Sequence, residues 1–306
     1  MAEEQAPLPP IRWPRKLVFK DPIPTGLINQ RILTHALVVL AREARLDKKE
    51  LDGTGDGELF IRLVLLVCRK MSSVWLHMER YKKEQEVLVK KFIEQPMPHP
   101  PVHEMECSDT LFLEFDEFLV QIKSTLDYLV KLPRAVIGKS WNLTRFGDKG
   151  KMVMRALQRN TPKEMQEKAA RIEKCLFHEA NLHWLDLVIR ARDDMNHYLL
   201  GQITIEKFSV GRDEVGEIRV PMWSQVQTLA DFMTNIWGCF FCFVEDFITL
   251  FASLRFQEGT AFWLEKRDAV STQSPWRVVP KLEVEFMRSV HEGKIKIPGV
   301  TGAIFQ

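Results

Sequence analysis

The chain has few of the features that would place it in a disulfide-rich or strongly charged class. Its 306 residues include only five cysteines, an odd number, so a disulfide framework is not expected and the thiols are predicted to be reduced. Positive and negative charges nearly cancel, with 43 Lys and Arg against 41 Asp and Glu. The overall charge therefore demands no polyanionic partner, and a nucleic-acid site would have to depend on local clusters of cations.

A secretory signal and an uninterrupted membrane span are also missing from the sequence. Residues 1–14 are acidic and proline-rich rather than basic and then apolar, which indicates a cytoplasmic protein. The longest apolar run, residues 232–254, contains Glu245 and Asp246, so we predict a buried bundle helix and no membrane partner. Its two cysteines have no second Cys or His pair at ligand spacing, so we predict core cysteines, no metal site and no cofactor.

The spacing of apolar residues predicts a mainly α protein, a helical bundle with a small β-hairpin insertion and a short mixed C-terminal extension. With 45% apolar residues, the chain can bury a sizeable core. We expect an N-terminal helical segment ending in a proline-rich linker, a bundle, and an extension packed on it, at residues 1–104, 105–258 and 259–306. The helices are expected at residues 26–45, 58–95, 111–132, 151–159, 162–177 and 222–256, with another reaching His197, and the hairpin at residues 201–221.

A polar run at the end of one apolar helix carries the most chemical information. It reads Arg190-Ala191-Arg192-Asp193-Asp194-Met195-Asn196-His197-Tyr198. A guanidinium donates in bidentate fashion to phosphoryl oxygens, and an imidazole with an ordinary pKa of about 6.5 exchanges protons at neutral pH. These are the groups that cleavage of RNA without a metal needs. Asp193 and Asn196 are candidate orienting groups, because Asp193 shares a helix face with His197.

The pattern formed by Arg192, Asp193 and His197 resembles the R-[N/D/H]-x3-H signature of the HEPN superfamily, small helical proteins that act on nucleic acids. Two looser matches occur, Arg171 with His178 and Arg190 with His197, but neither has the polar second residue. The predicted helix at residues 116–131 resembles the long helix that precedes the motif in this family. The resemblance extends over about residues 109–254.

The resemblance implies a fold, an activity and partners. HEPN ribonucleases are helical bundles that place two motifs in a cleft between protomers, so a homodimer that cleaves single-stranded RNA without a metal is expected. A toxin-like or defence-related setting, with an antitoxin or regulatory protein as partner, is implied in the same way. One departure is Tyr198, which is adjacent to His197, whereas the tyrosine modified in some HEPN toxins stands two places after the histidine. That modification is not carried over.

Helical geometry limits how the motif can work. A five-residue step turns a regular helix through about 140° relative to the starting side chain, so Arg192 and His197 do not share a face. They can act together if the helix breaks near Asn196 or if two motifs meet across a dimer. The alternative is a solvated helix end, stabilised only by i,i+4 pairs. Those pairs are Arg190–Asp194, Arg192–Asn196 and Asp193–His197.

A second candidate feature is a basic segment between Lys131 and Lys163, in which Asp148 is the single acid. Its nine cations are Lys131, Arg134, Lys139, Arg145, Lys149, Lys151, Arg155, Arg159 and Lys163. Trp141 and Phe146 lie within the segment and are predicted to stack on unpaired bases. The alternative is a solvated loop and helix face. With Arg190, the predicted RNA-binding residues are Lys139, Trp141, Arg145, Lys149, Lys151, Arg155 and Arg159.

Three functions stay open at this level. The first is a metal-independent endoribonuclease with His197 as general acid and base, Arg192 as phosphate and transition-state ligand, and Asp193 and Asn196 as orienting residues. The second is a non-catalytic HEPN-like module that binds RNA, a nucleotide or a protein partner through the same cleft. The third is a helical scaffold that assembles through its Phe-rich segment at residues 232–256.

Overall fold

The computed structural model describes residues 56–96, 104–197, 203–256, 262–266 and 276–280, with scattered positions between 28 and 46. In this part of the chain 73% of residues are helical and 8% lie in strands. The predicted mainly α character with small β elements is therefore confirmed. Most of the helix expected at residues 26–45, and most of the mixed extension expected at residues 259–306, lie outside the described residues.

The described secondary structure follows the chain in this order. The helices are α1 (Ala41–Glu43), α2 (Gly57–Glu94), α3 (Asp109–Leu129), α4 (Pro133–Ile137), α5 (Lys151–Asn160), α6 (Gln166–Leu176), α7 (Glu179–His197) and α8 (Leu229–Ser253). The strands are β1 (Glu104–Cys107), β2 (Ser209–Arg212), β3 (Ile218–Arg219), β4 (Met222–Ser224), β5 (Gln227–Thr228), β6 (Phe262–Lys266) and β7 (Trp276–Pro280). Short 3₁₀ turns occupy Asp148–Gly150, Lys163–Met165 and Ile205–Phe208.

The two long helices α2 and α3 form an antiparallel pair. His77 Nδ1 lies 2.6 Å from Glu114 Oε2, and further along the same interface Lys70 Nζ donates to Gln121 Oε1 at 2.9 Å. Each helix begins at a side-chain cap, Asp56 for α2 and Ser108 for α3. Both helices contribute to one hydrophobic core, which also contains α8.

Helix α8 lies at the centre of that core and packs on α2, α3, α6 and α7. In the part of the chain that the structure describes, it is the one helix long and apolar enough to cross a membrane, but 83% of its most apolar window is buried inside the protein. This confirms the predicted buried bundle helix. The burial leaves its phenylalanines little surface for assembly, which argues against the scaffold hypothesis. Cys239 and Cys242 are also buried, as predicted for core cysteines, and burial raises the pKa of the Cys239 thiol to about 11.

The predicted hairpin at residues 201–221 is confirmed as the antiparallel pair β2 and β3. Its turn is organised by Asp213, whose carboxylate accepts the backbone N–H groups of Val215 and Glu217 and both donors of the Arg219 fork. Burial raises the pKa of Asp213, but these hydrogen bonds outweigh it and hold that pKa below its usual value. Strand β1 extends the hairpin to a sheet in the order β1-β2-β3.

Two sequence predictions are corrected near these strands. The helix predicted from residue 222 begins at Leu229, because residues 222–228 form the β4–β5 hairpin instead. The Thr228 side chain accepts the N–H of Asp231 at 3.0 Å and so caps α8 at its true start. No helix was predicted between residues 132 and 151, but this segment contains the short helix α4, which has proline at its first position. Strands β6 and β7 pair within the predicted mixed extension.

Candidate functional site

Helix α7 carries the predicted catalytic run and is continuous from Glu179 to His197. Of the two arrangements that would let Arg192 and His197 act together, a helix break near Asn196 is not seen in the described residues, which leaves the meeting of two motifs across a dimer. On a regular helix, Arg192 and His197 lie about 140° apart around the helix axis. The side chains of Asn196 and His197, and the whole of Tyr198, lie outside the described part of the structure. Their predicted roles remain predictions.

Arg192 lies at the contact between α7 and α3. Its side chain is 36% exposed, and its Nη1 donates to Asp193 Oδ1 at 3.1 Å. Among the side chains that the structure describes, Asp193 is paired with this guanidinium, and the His197 side chain, which Asp193 was predicted to orient, lies outside the described part. Arg192 also attracts the carboxylate of Asp116 on α3. The predicted phosphate ligand thus interacts with two carboxylates of its own chain, by a hydrogen bond to Asp193 and by charge attraction to Asp116.

Asp116 is a residue of this site that the sequence did not point to. Burial raises the pKa of its carboxyl group, the neighbouring Glu117 raises it further, and Arg192 lowers it in part. Its Oδ1 is buried and has no hydrogen-bond partner among the described residues. In the sequence, Asp116 is one polar residue among several in a long helix. It interacts with Arg192 only because α3 packs on α7.

Replacing Asp116 by Asn is expected to stabilise the fold at neutral pH by a few degrees at most. Because the folded-state pKa is raised, the native protein binds the proton more tightly than the unfolded chain. Wild-type stability therefore falls as pH rises from about 3.9 through the folded pKa. The melting temperature of Asp116→Asn should exceed that of the wild type at pH 7–8, and the difference should vanish near pH 3.5.

Thermal melting followed by circular dichroism across this pH range measures the difference. The exposed Glu86 on α2 provides a control, since Glu86→Gln removes the same charge from a solvated position. A constant offset between wild type and Asp116→Asn at all pH values would contradict the prediction.

Asp186 on α7 joins two predicted RNA-binding residues. Lys149 Nζ lies 2.7 Å from Asp186 Oδ1, and Arg190 donates through Nε to Oδ1 at 3.1 Å and lies with Nη2 2.9 Å from Oδ2. Burial raises the pKa of Asp186, but the hydrogen bonds and charges of the two cations outweigh it, and the net pKa is lowered. Asp186 had no role in the sequence prediction, because Lys149 and Arg190 belong to separate elements.

The turn before α5 sets the position of Lys149. Lys149 has a φ of +47°, and Gly150, the residue that caps α5, has a φ of +76°. A side chain at residue 150 would be strained at this φ, and its Cβ would lie 2.2 Å from Cε1 of Phe177. The glycine therefore allows the chain to turn tightly beneath α7.

The remaining predicted cations lie on α5 and in the loop before it, and their side chains are exposed. Helix α5 buries Val153, Ala156 and Leu157 and exposes a stripe of three basic residues, Lys151, Arg155 and Arg159. Lys139 and Arg145 are exposed in the preceding loop, which Ser140 attaches to the end of α5 by donating to the Asn160 carbonyl at 3.1 Å. We call Lys139, Arg145, Lys149, Lys151, Arg155, Arg159 and Arg190 the basic surface.

The two aromatic residues of the basic segment are not part of that surface. Trp141 is fully buried, its Nε1 donates to the Val130 carbonyl at 2.7 Å, and its ring meets Phe251 edge-on at 5.5 Å between centroids. Phe146 is fully buried against Phe177 and Phe243. The prediction that Trp141 and Phe146 stack on bases is therefore wrong. Their apolar area is better stabilised in the core than on a wet loop.

Comparisons with known proteins add no relative. No protein-family model, curated protein or solved structure matches this chain. Within the described ranges, no group of three or more His, Cys, Asp or Glu side chains is placed to hold a metal ion. The site is therefore characterised by its own geometry: the end of α7, the Asp186 cluster and the basic surface.

Proposed function

We propose that the protein is a metal-independent endoribonuclease of HEPN type that cleaves single-stranded RNA in a cleft between two protomers. The observation that supports this best is that the basic surface contacts the helix that carries the predicted catalytic run. Lys149 of the basic surface is bonded to Asp186 of α7, and the same helix carries Arg190, Arg192 and His197 in its last two turns. RNA held by the basic surface therefore lies close to the catalytic run.

The continuous helix supports the dimer in this proposal. Arg192 and His197 of one protomer diverge by about 140°, so one α7 does not direct both groups at a single phosphate. A two-fold axis next to the end of α7 would bring two copies of the run together and supply two imidazoles and two guanidinium groups to one cleft.

The chemistry then needs only side chains of this protein. The ribose 2′-oxygen attacks phosphorus and loses its proton to one His197 imidazole, and the P–O5′ bond breaks. The leaving 5′-oxygen takes a proton from the protonated imidazole of the second protomer. Arg192 stabilises the charge that grows on the phosphoryl oxygens. The products are a 2′,3′-cyclic phosphate and a 5′-hydroxyl.

The resemblance to HEPN proteins extends the proposal to a biological setting. An enzyme that cleaves RNA inside a cell must be inhibited when it is not needed. The proposal therefore includes a toxin-like or defence role, with an antitoxin or regulatory protein as partner. Asn196 and Asp193 keep the orienting roles assigned from the sequence, Asp193 through Arg192 as well as through His197.

The proposal predicts chelator-resistant cleavage of RNA. Purified protein incubated with a labelled single-stranded RNA in excess EDTA should release fragments that carry 2′,3′-cyclic phosphate and 5′-hydroxyl ends, because no metal activates the nucleophile. Denaturing gels with end-group analysis measure this. Cleavage that stops in EDTA and returns with Mg²⁺ would contradict the mechanism, and so would intact RNA at high protein concentration.

A second candidate is a non-catalytic module that binds RNA, a nucleotide or a protein partner at the same place. The bond between Arg192 and Asp193 favours it, because that guanidinium is already paired in the free protein. The same incubation separates the two functions. Stable binding of RNA with no fragments would support the module and reject the enzyme.

A further inference from the structure

We infer that Lys149 and Arg190 form a phosphate subsite for single-stranded RNA, and that the Asp186 carboxylate occupies this subsite in the free protein. The inference rests on the proposed action on RNA and specifies where one phosphodiester of the strand binds. It also gives Asp186 a function, as an internal competitor for that phosphodiester.

The geometry around Asp186 is that of a phosphate site. Arg190 Nε and Nη2 contact the two carboxylate oxygens at 3.1 and 2.9 Å, and Lys149 Nζ contacts Oδ1 at 2.7 Å. A guanidinium fork with an added ammonium group is an arrangement that binds phosphate oxygens equally well. A phosphodiester has two non-bridging oxygens and one negative charge, so it matches the carboxylate in both acceptors and charge.

The exposure of the three side chains makes the exchange possible. Arg190 is 70% exposed, so its guanidinium can contact a ligand from solvent, whereas Lys149 and Asp186 are 32% and 21% exposed. Two cations facing one carboxylate leave a net positive charge on the cluster. All three side chains keep some contact with solvent, so an incoming phosphodiester can reach the cations and displace the carboxylate.

The subsite is distinct from the proposed cleavage point. Asp186, Arg190 and His197 lie on one stripe of α7 by register, since each is within about 40° of the others around the axis. Arg190 precedes His197 by seven residues, which corresponds to about 10 Å along the helix. The phosphate held by Lys149 and Arg190 is therefore a neighbour of the one that is cleaved.

Asp186→Asn tests the inference, because it frees both cations and keeps the shape of the side chain. Binding of a fluorescein-labelled 2′-O-methyl oligouridylate, which lacks the attacking hydroxyl, is measured by anisotropy over a salt series in EDTA. We expect the variant to bind roughly three- to tenfold more tightly at low salt. Its slope of log K against log salt should steepen by about 0.7 for each additional phosphate that the variant neutralises.

Glu167→Gln is the matched control. Glu167 pairs with Arg171 four residues later on α6, and both side chains are exposed, so the control makes the same change of charge in an i,i+4 pair that is not part of the cluster. It should change affinity less than twofold. Adding Lys149→Ala and Arg190→Ala to Asp186→Asn should abolish the increase in affinity. Melting temperatures of all variants exclude unfolding as the cause.

The outcomes separate this inference from the proposed function. If the wild type binds the oligonucleotide and Asp186→Asn behaves as Glu167→Gln does, the subsite is overturned and action on RNA stands. Tighter binding that persists without Lys149 and Arg190 also overturns the subsite. If neither wild type nor Asp186→Asn binds, both the proposed function and the inference fail. Binding by Asp186→Asn alone would support Asp186 as the competitor.

Discussion

Replacing Arg192 or His197 by alanine is expected to lower the rate of RNA cleavage by about 10²- to 10⁴-fold. A positioned general acid or base contributes about this factor, and a charged donor to the transition state contributes about 10²- to 10³-fold. The initial rate of cleavage of labelled single-stranded RNA in EDTA measures the effect. Circular dichroism spectra establish that the variants retain the helical fold.

The chain supplies its own control for this experiment. Arg171 and His178 also match the loose arginine–histidine spacing, but Arg171 is exposed on α6 and paired with Glu167. Arg171→Ala and His178→Ala should cleave at the wild-type rate. Wild-type cleavage by the double variant Arg192→Ala and His197→Ala would reject the endoribonuclease mechanism. If the Arg171 and His178 variants lost as much activity as the Arg192 and His197 variants, the losses would reflect a general change of the protein surface and not the removal of catalytic groups.

Trp141→Ala is expected to lower the free energy of unfolding by about 3–5 kcal/mol, the range for truncating a fully buried large aromatic residue. The substitution would leave a cavity beside Phe251 and remove the donor that satisfies the Val130 carbonyl. Urea denaturation followed by circular dichroism measures the change. The variant should also lose thermal stability by several degrees.

Two further variants distinguish a core role of Trp141 from a role in binding bases. Trp141→Phe keeps most of the ring volume and loses the hydrogen bond, so it should cost about 1–2 kcal/mol and leave RNA affinity unchanged. Lys139→Ala, two residues earlier on the exposed loop, should change stability by less than about 0.5 kcal/mol and weaken RNA binding. A Trp141→Ala protein with wild-type stability and reduced RNA affinity would restore the stacking hypothesis.

The sequence anticipated the elements that depend on local patterns. The stripe of apolar residues in α3 and the apolar run of α8 predicted helices that the structure contains. The alternation and glycines around Asp213 predicted the β2–β3 hairpin. The start of α8 was missed, although Thr228 followed three residues later by Asp231 is a capping pattern that the sequence shows.

Only part of the candidate site could be predicted from the sequence. The polar stripe of α7, with Asp186, Arg190 and Asp193 on one face, follows from helix periodicity alone. The partners of those residues do not. Helix periodicity predicts which face of its own helix a residue occupies, but it does not predict which element packs against that face.

Local patterns in the sequence are thus sufficient to specify a mainly α-helical chain with an apolar central helix, a hairpin, and a run of catalytic residue types at the end of α7. Tertiary packing was needed to establish that Lys149 meets Asp186, that Arg192 acts electrostatically on Asp116, and that Trp141 belongs to the core. The physical reason is that secondary structure depends on neighbours in the chain. Pairing of charges and burial of aromatic rings depend on which faces the packed helices bring together.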